Sequence, residues 1–168
     1  MVAPPPPDAR RAALARGRIA SSRADWRTAV DFYQIARAGS TVQGADDAVA
    51  HEASYYEGLA LAALGDLGEA EERLSATAQR RPDGPYAQPA LLELGYLQYG
   101  RRRYADAVQA FQRLVEADPR GTYAGEATRM LGEAFAASGD AAGARLAFDR
   151  AEALGTATSE TRSEVAFQ

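Results

Sequence analysis

The chain is predicted to be all-α, a solenoid of about four helical hairpins with a short C-terminal capping segment. Three observations predict it. Residues 88–121 carry apolar side chains at Leu91, Leu94 and Leu97, then at Tyr104, Ala107, Val108, Phe111, Leu114 and Val115. That is the three-to-four spacing of two amphipathic helices, each with one buried stripe. The chain also aligns on itself without gaps: Gly58, Gly95 and Gly132 are equivalents, followed at equal offsets by Ala70, Ala107 and Ala144, then by Leu74, Phe111 and Phe148. Finally, Gly95 and Ala107 lie inside the stripes, where small residues let two helix axes approach closely while Phe111 fills the space beside them. Stacked hairpins of this kind bury a continuous core.

A fourth, more divergent copy lies upstream, with Gly17, Ala29, Tyr33 and Ala36 in the corresponding places and Trp26 matching Leu67 and Tyr104. Pro82 and Pro119 stop the second helices, because proline cannot continue a helix. Gly65-Asp66 and Gly139-Asp140 supply turns between paired helices, where the other two copies have Ala24-Asp25 and Arg102-Arg103. This pattern resembles the tetratricopeptide repeat family over roughly residues 10–156. The resemblance implies a right-handed α-solenoid over 8–156, with repeats at about 10–39, 51–84, 88–121 and 125–156. Residues 1–7 are then a Pro-rich linker or chain end, and 157–168 a C-terminal cap or tail.

The elements follow in order. Pro4 to Pro7 favour an extended segment. The first pair is expected at about Asp8–Ser22, with Asp8 as N-cap, and Asp25–Ala38, ended by Gly39; Trp26 packs under the turn. Ser40–Asp47 is a loop that lengthens the first interval to 41 residues (Gly17 to Gly58), against 37 for each later one (Gly58 to Gly95, Gly95 to Gly132). The remaining pairs are expected at about Asp46–Leu64 with Leu67–Arg81, Tyr86–Gly100 with Tyr104–Ala117, and Tyr123–Ser138 with Ala141–Leu154. After Gly155, a further helix would let Val165 and Phe167 cover the last apolar stripe.

The 37-residue interval exceeds the ~34 usual for the family. The surplus falls in Asp83-Gly84-Pro85-Tyr86 and Arg120-Gly121-Thr122-Tyr123, after the two prolines. Here the chain resembles bacterial envelope repeat proteins of the Tol-Pal-associated and outer-membrane assembly lipoprotein type. That resemblance implies a periplasmic or envelope-associated protein, with a signal or anchor upstream; a cytoplasmic location is the alternative. Pro4–Pro7 would suit the linker of such proteins.

Composition narrows the chemistry. A net charge of -4 and a pI near 5.1 provide no global basic surface for nucleic acid. All 19 basic residues are arginine, so a lysine Schiff base is impossible, and the absence of cysteine removes disulfides and thiolate metal sites. The single histidine, His51, is far below a zinc signature and reads as a solvated surface residue. Ser54 lies one turn along the same helix, without any sign of an oxyanion hole. No catalytic residue, cofactor or metal is expected. The basic run Arg101–Arg103 reads as a solvated turn.

The expected activity is therefore binding. In a right-handed stack the first helix of each pair lines a concave wall, and register places Arg18, Glu52, Tyr55, Leu59, Leu92, Tyr96, Tyr99, Arg129 and Glu133 on it, with Leu14, Ser21, Ala62, Glu126 and Ala136. Tyrosines combine apolar area with a hydrogen-bonding tip, which gives binding energy at low entropic cost. Equally, these tyrosines are candidates for packing against neighbouring helices. Arg18 and Arg129 are candidates for engaging carboxylates, or for pairing with Glu52 and Glu133. The expected partner is a protein segment or peptide, extended or helical. Assembly through terminal or convex surfaces into a larger envelope machine is the alternative, and an oligomer is compatible with it.

Overall fold

The computed structural model describes residues 5–38 and 47–165, with side chains described as far as Gly155. These residues form eight helices: α1 (Pro7–Ser22), α2 (Trp26–Arg37), α3 (Ala48–Leu64), α4 (Leu67–Arg80), α5 (Ala87–Gly100), α6 (Tyr104–Ala117), α7 (Ala124–Ser138) and α8 (Ala141–Val165). No strand occurs among the described residues. They divide into two compact units at Glu93/Leu94, inside α5. In the first unit α1 packs on α2, α2 on α3 and α3 on α4, and α1 also touches α3; in the second α7 packs on both α6 and α8.

Burial follows the hydrophobic pattern. The second helix of a pair buries one stripe, as in α2 (Ala29, Val30, Tyr33, Ala36) and α6 (Ala107, Ala110, Phe111, Leu114, Val115). First helices bury a broader arc: α7 hides Ala124, Ala127, Thr128, Met130, Leu131, Gly132 and Ala134. Each pair has the same close approach. A Cβ added to Gly17 would lie 2.5 Å from Tyr33, and at Gly58 it would lie 2.8 Å from Leu74. At Gly95 the distance is 2.4 Å to Phe111, and at Gly132 it is 2.7 Å to Phe148. Even a methyl has no room there, so the repeat's glycines are set by contact between paired helices.

The turns are equally regular. Ala24, Gly65, Arg102 and Gly139 all adopt the left-handed conformation, with φ of 58°, 89°, 61° and 90°. At each, that residue's N–H bonds the carbonyl three residues back and the next N–H bonds the carbonyl five back, for example Gly65 to Ala62 (3.1 Å) and Asp66 to Leu61 (3.0 Å). This is the Schellman ending of a helix. The following aspartate opens the next helix at two of them: Asp25 accepts from the Thr28 N–H (3.3 Å) and Asp140 from the Gly143 N–H (2.8 Å). The absence of a turn glycine at Ala24 and Arg102 therefore changes the strain and leaves the turn type intact.

Three expectations on helix ends are corrected. Asp8 lies inside the first turn of α1, where its charge faces the positive end of the helix dipole; Pro6 is the N-cap and Pro7 takes the first helical position, which needs no N–H. The structure starts α3, α5 and α7 one or two residues later than expected. α8 continues unbroken through Gly155 to Val165 instead of ending at Leu154, because one glycine weakens a helix without stopping it. Trp26 is half-buried at the start of α2. Gly39, the loop 40–46 and Phe167 lie outside the described residues, as does the side chain of Val165.

The strain at the turns is measurable. Gly65→Ala and Gly139→Ala, where an added Cβ meets nothing within 4 Å, should each lower stability by about 1 kcal/mol through backbone strain alone. Ala24→Gly and Arg102→Gly should raise it by about 0.5 kcal/mol, the relieved strain exceeding the entropy glycine adds to the unfolded chain. Urea denaturation midpoints check both; equal effects of either sign at all four positions would contradict the shared geometry.

Candidate functional site

In the first unit, α3 carries an aromatic cluster completed by Tyr33 of α2 and by Tyr86, just before α5. Tyr56 stacks on Tyr33, with centroids 5.9 Å apart at 22°, and Tyr55 lies 5.2 Å from Tyr56 and 5.3 Å from Tyr86. Tyr33 is fully buried, while Tyr55, Tyr56 and Tyr86 are half-buried. The Arg18 guanidinium sits 5.9 Å from the Tyr56 ring centroid and 3.4 Å from the Glu52 carboxylate, with its side chain 60% exposed. Burial, together with a hydrogen bond to Glu52 and that residue's negative charge, pushes the Tyr86 hydroxyl up to about 12. Tyr86 therefore stays protonated and donates to Glu52, which is held from two sides. Arg18, Glu52 and Tyr55 lie together, linked through Tyr56 and Tyr86, with Leu59 half-buried further along α3.

Leu92 is corrected: it is 8% exposed and belongs to the core, as does Leu14. Tyr56 and Tyr86 were not among the expected contact residues. The signal for Tyr86 was present in its position after Pro82, which recurs at Tyr123, 37 residues on.

In the second unit, the Tyr96 hydroxyl donates to the Glu126 carboxylate on α7. Glu126 also accepts from Arg129 at 3.1 Å, and Arg129 pairs with Glu133 one turn along. These two hydrogen bonds hold the Glu126 carboxyl below its ordinary range against a small opposing effect of burial. The Tyr96 ring meets Phe111 edge-on at 5.9 Å and Tyr99 meets Tyr104 at 5.3 Å; both expected tyrosines are half-buried. Tyr96, Arg129 and Glu133 thus lie in one connected network, and Tyr99 sits apart at the turn beside Tyr104. Arg101, Arg102 and Arg103 are exposed there, Arg103 pairing with Asp106 at 2.7 Å. No group of three or more His, Cys, Asp or Glu placed to hold a metal occurs among the described residues. No helix among them is long and apolar enough to cross a membrane.

Comparison with known proteins agrees with the hairpin geometry. Residues 92–157 match the tetratricopeptide repeat family. MamA from Desulfovibrio magneticus RS-1 superposes with a TM-score of 0.69 at 20% identity, covering 88% of this chain and 76% of that one. BtubC from P. vanneervenii gives 0.77 at 14%, covering 89% and 64%. YrrB, described as a tetratricopeptide protein with an unusual peptide-binding site, gives 0.68 at 19%, covering 87% and 69%. No curated protein matches the sequence. The fold is a tetratricopeptide α-solenoid.

Several polar side chains are buried inside this fold, and sequence reasoning misplaced or passed over the two that bind most across helices. Glu57 is 1% exposed and is met by Arg37 at 2.8 Å and Arg73 at 3.2 Å, so a single carboxylate ties α2, α3 and α4 together. His51, expected at the surface, is 2% exposed. Its Nε2 lies 3.0 Å from the Thr77 carbonyl oxygen, which can only accept, so Nε2 carries the proton and Nδ1 is left as an acceptor without a partner. The Thr77 hydroxyl is the donor, 2.8 Å from both the Arg73 carbonyl oxygen and the Ser54 hydroxyl oxygen. Ser54 is thus engaged by Thr77, and neither His51 ring nitrogen is hydrogen-bonded to it.

Burial lowers the His51 pKa, reinforced by Arg81 and Arg80, against the opposing hydrogen bond to Thr77. The unfolded chain therefore binds the proton more readily than the folded one. Stability from this site is complete above about pH 6.5 and is lost as pH falls below it. Half-buried Glu93, whose pKa is raised by desolvation, acts in the opposite sense in acid. Comparison with His51→Leu isolates the histidine: the wild type should lose more of its urea midpoint between neutral and mildly acid pH than the variant. Parallel pH profiles would refute the assignment.

Proposed function

We propose that this chain is a non-enzymatic scaffold that captures a segment of a partner protein on its first-helix surfaces. Arg18, Glu52, Tyr55 and Leu59, with Tyr56 and Tyr86, form the contact in the first unit. Tyr96, Tyr99, Arg129 and Glu133 form it in the second. The observation that carries the reading is the tyrosine cluster: three half-buried rings, 5.2 to 6.1 Å apart, under an exposed arginine. Fixed aromatic rings with a polar rim are the composition of binding hot spots, and helix-repeat solenoids use their first-helix walls for binding. A peptide-binding site in YrrB, a protein of similar fold, is in keeping with this.

The partner is placed in a bacterial cell-envelope complex, in the periplasm or at the envelope, on the resemblance of the segments after Pro82 and Pro119 to envelope repeat proteins. Recovery of the full-length gene product only from the cytoplasm of source cells would overturn that part. Assembly of the chain into a larger machine through terminal or convex surfaces is the second reading, favoured by Ile35 and Leu146 at 45% and 65% exposure.

Peptides selected on the wild-type chain from a random display library should bind Tyr55→Ala, or the double variant Tyr96→Ala/Tyr99→Ala, about tenfold or more weakly. Circular dichroism should show unchanged helix content. Undiminished binding to both variants would reject the surface assignment.

A further inference from the structure

The last hairpin leaves open a face that is closed in the others. Phe148 occupies the position of Tyr33, Leu74 and Phe111; those three are 0% exposed and Phe148 is 41% exposed. The reason is topological. α3 lies on α2 and α7 lies on α6, whereas α8 runs on as one helix to Val165, so residues 156–165 extend along its axis instead of turning back over Phe148. Beside Phe148 is an open cleft of about 450 Å³ lined by Ala136, Ala141 and Ala144, with Arg145 and Asp149 at its edge. Neither Arg145 nor Asp149 has a hydrogen-bond or ion-pair partner among the described residues.

We propose that a second copy of this chain covers the cleft, with the two α8 helices antiparallel about a two-fold axis near Phe148. The exposed stripe of α8 reads Arg145, Phe148, Asp149, Glu152, with its base toward the N-terminal end and its acids toward the C-terminal end. Antiparallel pairing brings Arg145 of each copy to the acids of the other and places the two phenylalanines together at the axis. Parallel pairing would set arginine against arginine. The face is thus self-complementary in one orientation, the requirement of an isologous contact. It offers one helix face per copy, at the low end of interface sizes, so the dimer forms reversibly at micromolar or higher concentration and weakens with salt.

Sedimentation velocity tests this. The wild-type mass should move from 17.9 kDa toward twice that value as concentration rises. Phe148 packs against Gly132, so its substitution would disturb the fold, and the charged edge carries the test. Arg145→Asp should remain monomeric at a concentration where half the wild type is dimeric, and Arg145→Asp/Asp149→Arg/Glu152→Arg, which reverses both sides of the pairing, should restore the dimer, all with wild-type circular dichroism. A wild type that stays monomeric overturns the proposal, even if another protein's helix is later found in the cleft. So does a dimer indifferent to Arg145→Asp, or a charge swap that restores nothing.

Discussion

Everything in this fold rests on how closely the two helices of a hairpin approach. At Gly17, Gly58, Gly95 and Gly132 the backbone of one helix lies against a large side chain sixteen residues later, Tyr33, Leu74, Phe111 or Phe148. The separation is too small for a Cβ, so the apolar side chain fills its space against bare backbone, and dispersion contacts replace what would otherwise be a void. The other small residues of the stripes, Ala70, Ala107 and Ala144, are buried on the facing helices for the same reason. Once this distance is fixed, the turn has little freedom left. The left-handed residue and its two hydrogen bonds then recur at all four corners, whether or not the corner residue is glycine.

The interior polar side chains Glu57 and His51 draw partners from other helices, although the His51 Nδ1 is left with none. Glu57 is neutralised by two arginines from different helices, which links three helices through one carboxylate. His51 meets a backbone carbonyl and the edge of Tyr86, 5.6 Å away, and an added Cβ at Gly84 would lie only 2.8 Å from its ring. The segment after Pro82 is thereby held to α3, and it also delivers Tyr86 to the aromatic cluster. Fold and candidate site share this element: the loop that accounts for the longer repeat is the one that completes the tyrosine group.

The hairpins were readable from the sequence because their determinants are local and repeated: small residues at fixed offsets, apolar stripes, proline stops. Helix ends were less readable, since Asp8 and Gly155 satisfy capping rules that Pro6 and the continuing α8 override. Of the expected contact residues, Arg18, Glu52 and Tyr55 lie together, linked through Tyr56 and Tyr86, and Tyr96 lies with Arg129 and Glu133. Register failed for Leu92 because the same heptad-like position faces outward or inward according to what packs on it. His51 and Glu57 were misread or passed over for a further reason. A polar residue amid alanines looks exposed until its partners, here Thr77, Arg37 and Arg73, are supplied by other helices.

The corner at Arg102 has a consequence for how this protein can diversify. Its geometry is secured by main-chain hydrogen bonds from Arg102 to Tyr99 and from Arg103 to Gln98, and the Arg102 side chain is exposed. Side-chain identity there is therefore uncoupled from architecture. The rim of the hairpin can acquire, lose or reverse charge while the helices stay in place, making such corners the natural points at which recognition can drift without refolding.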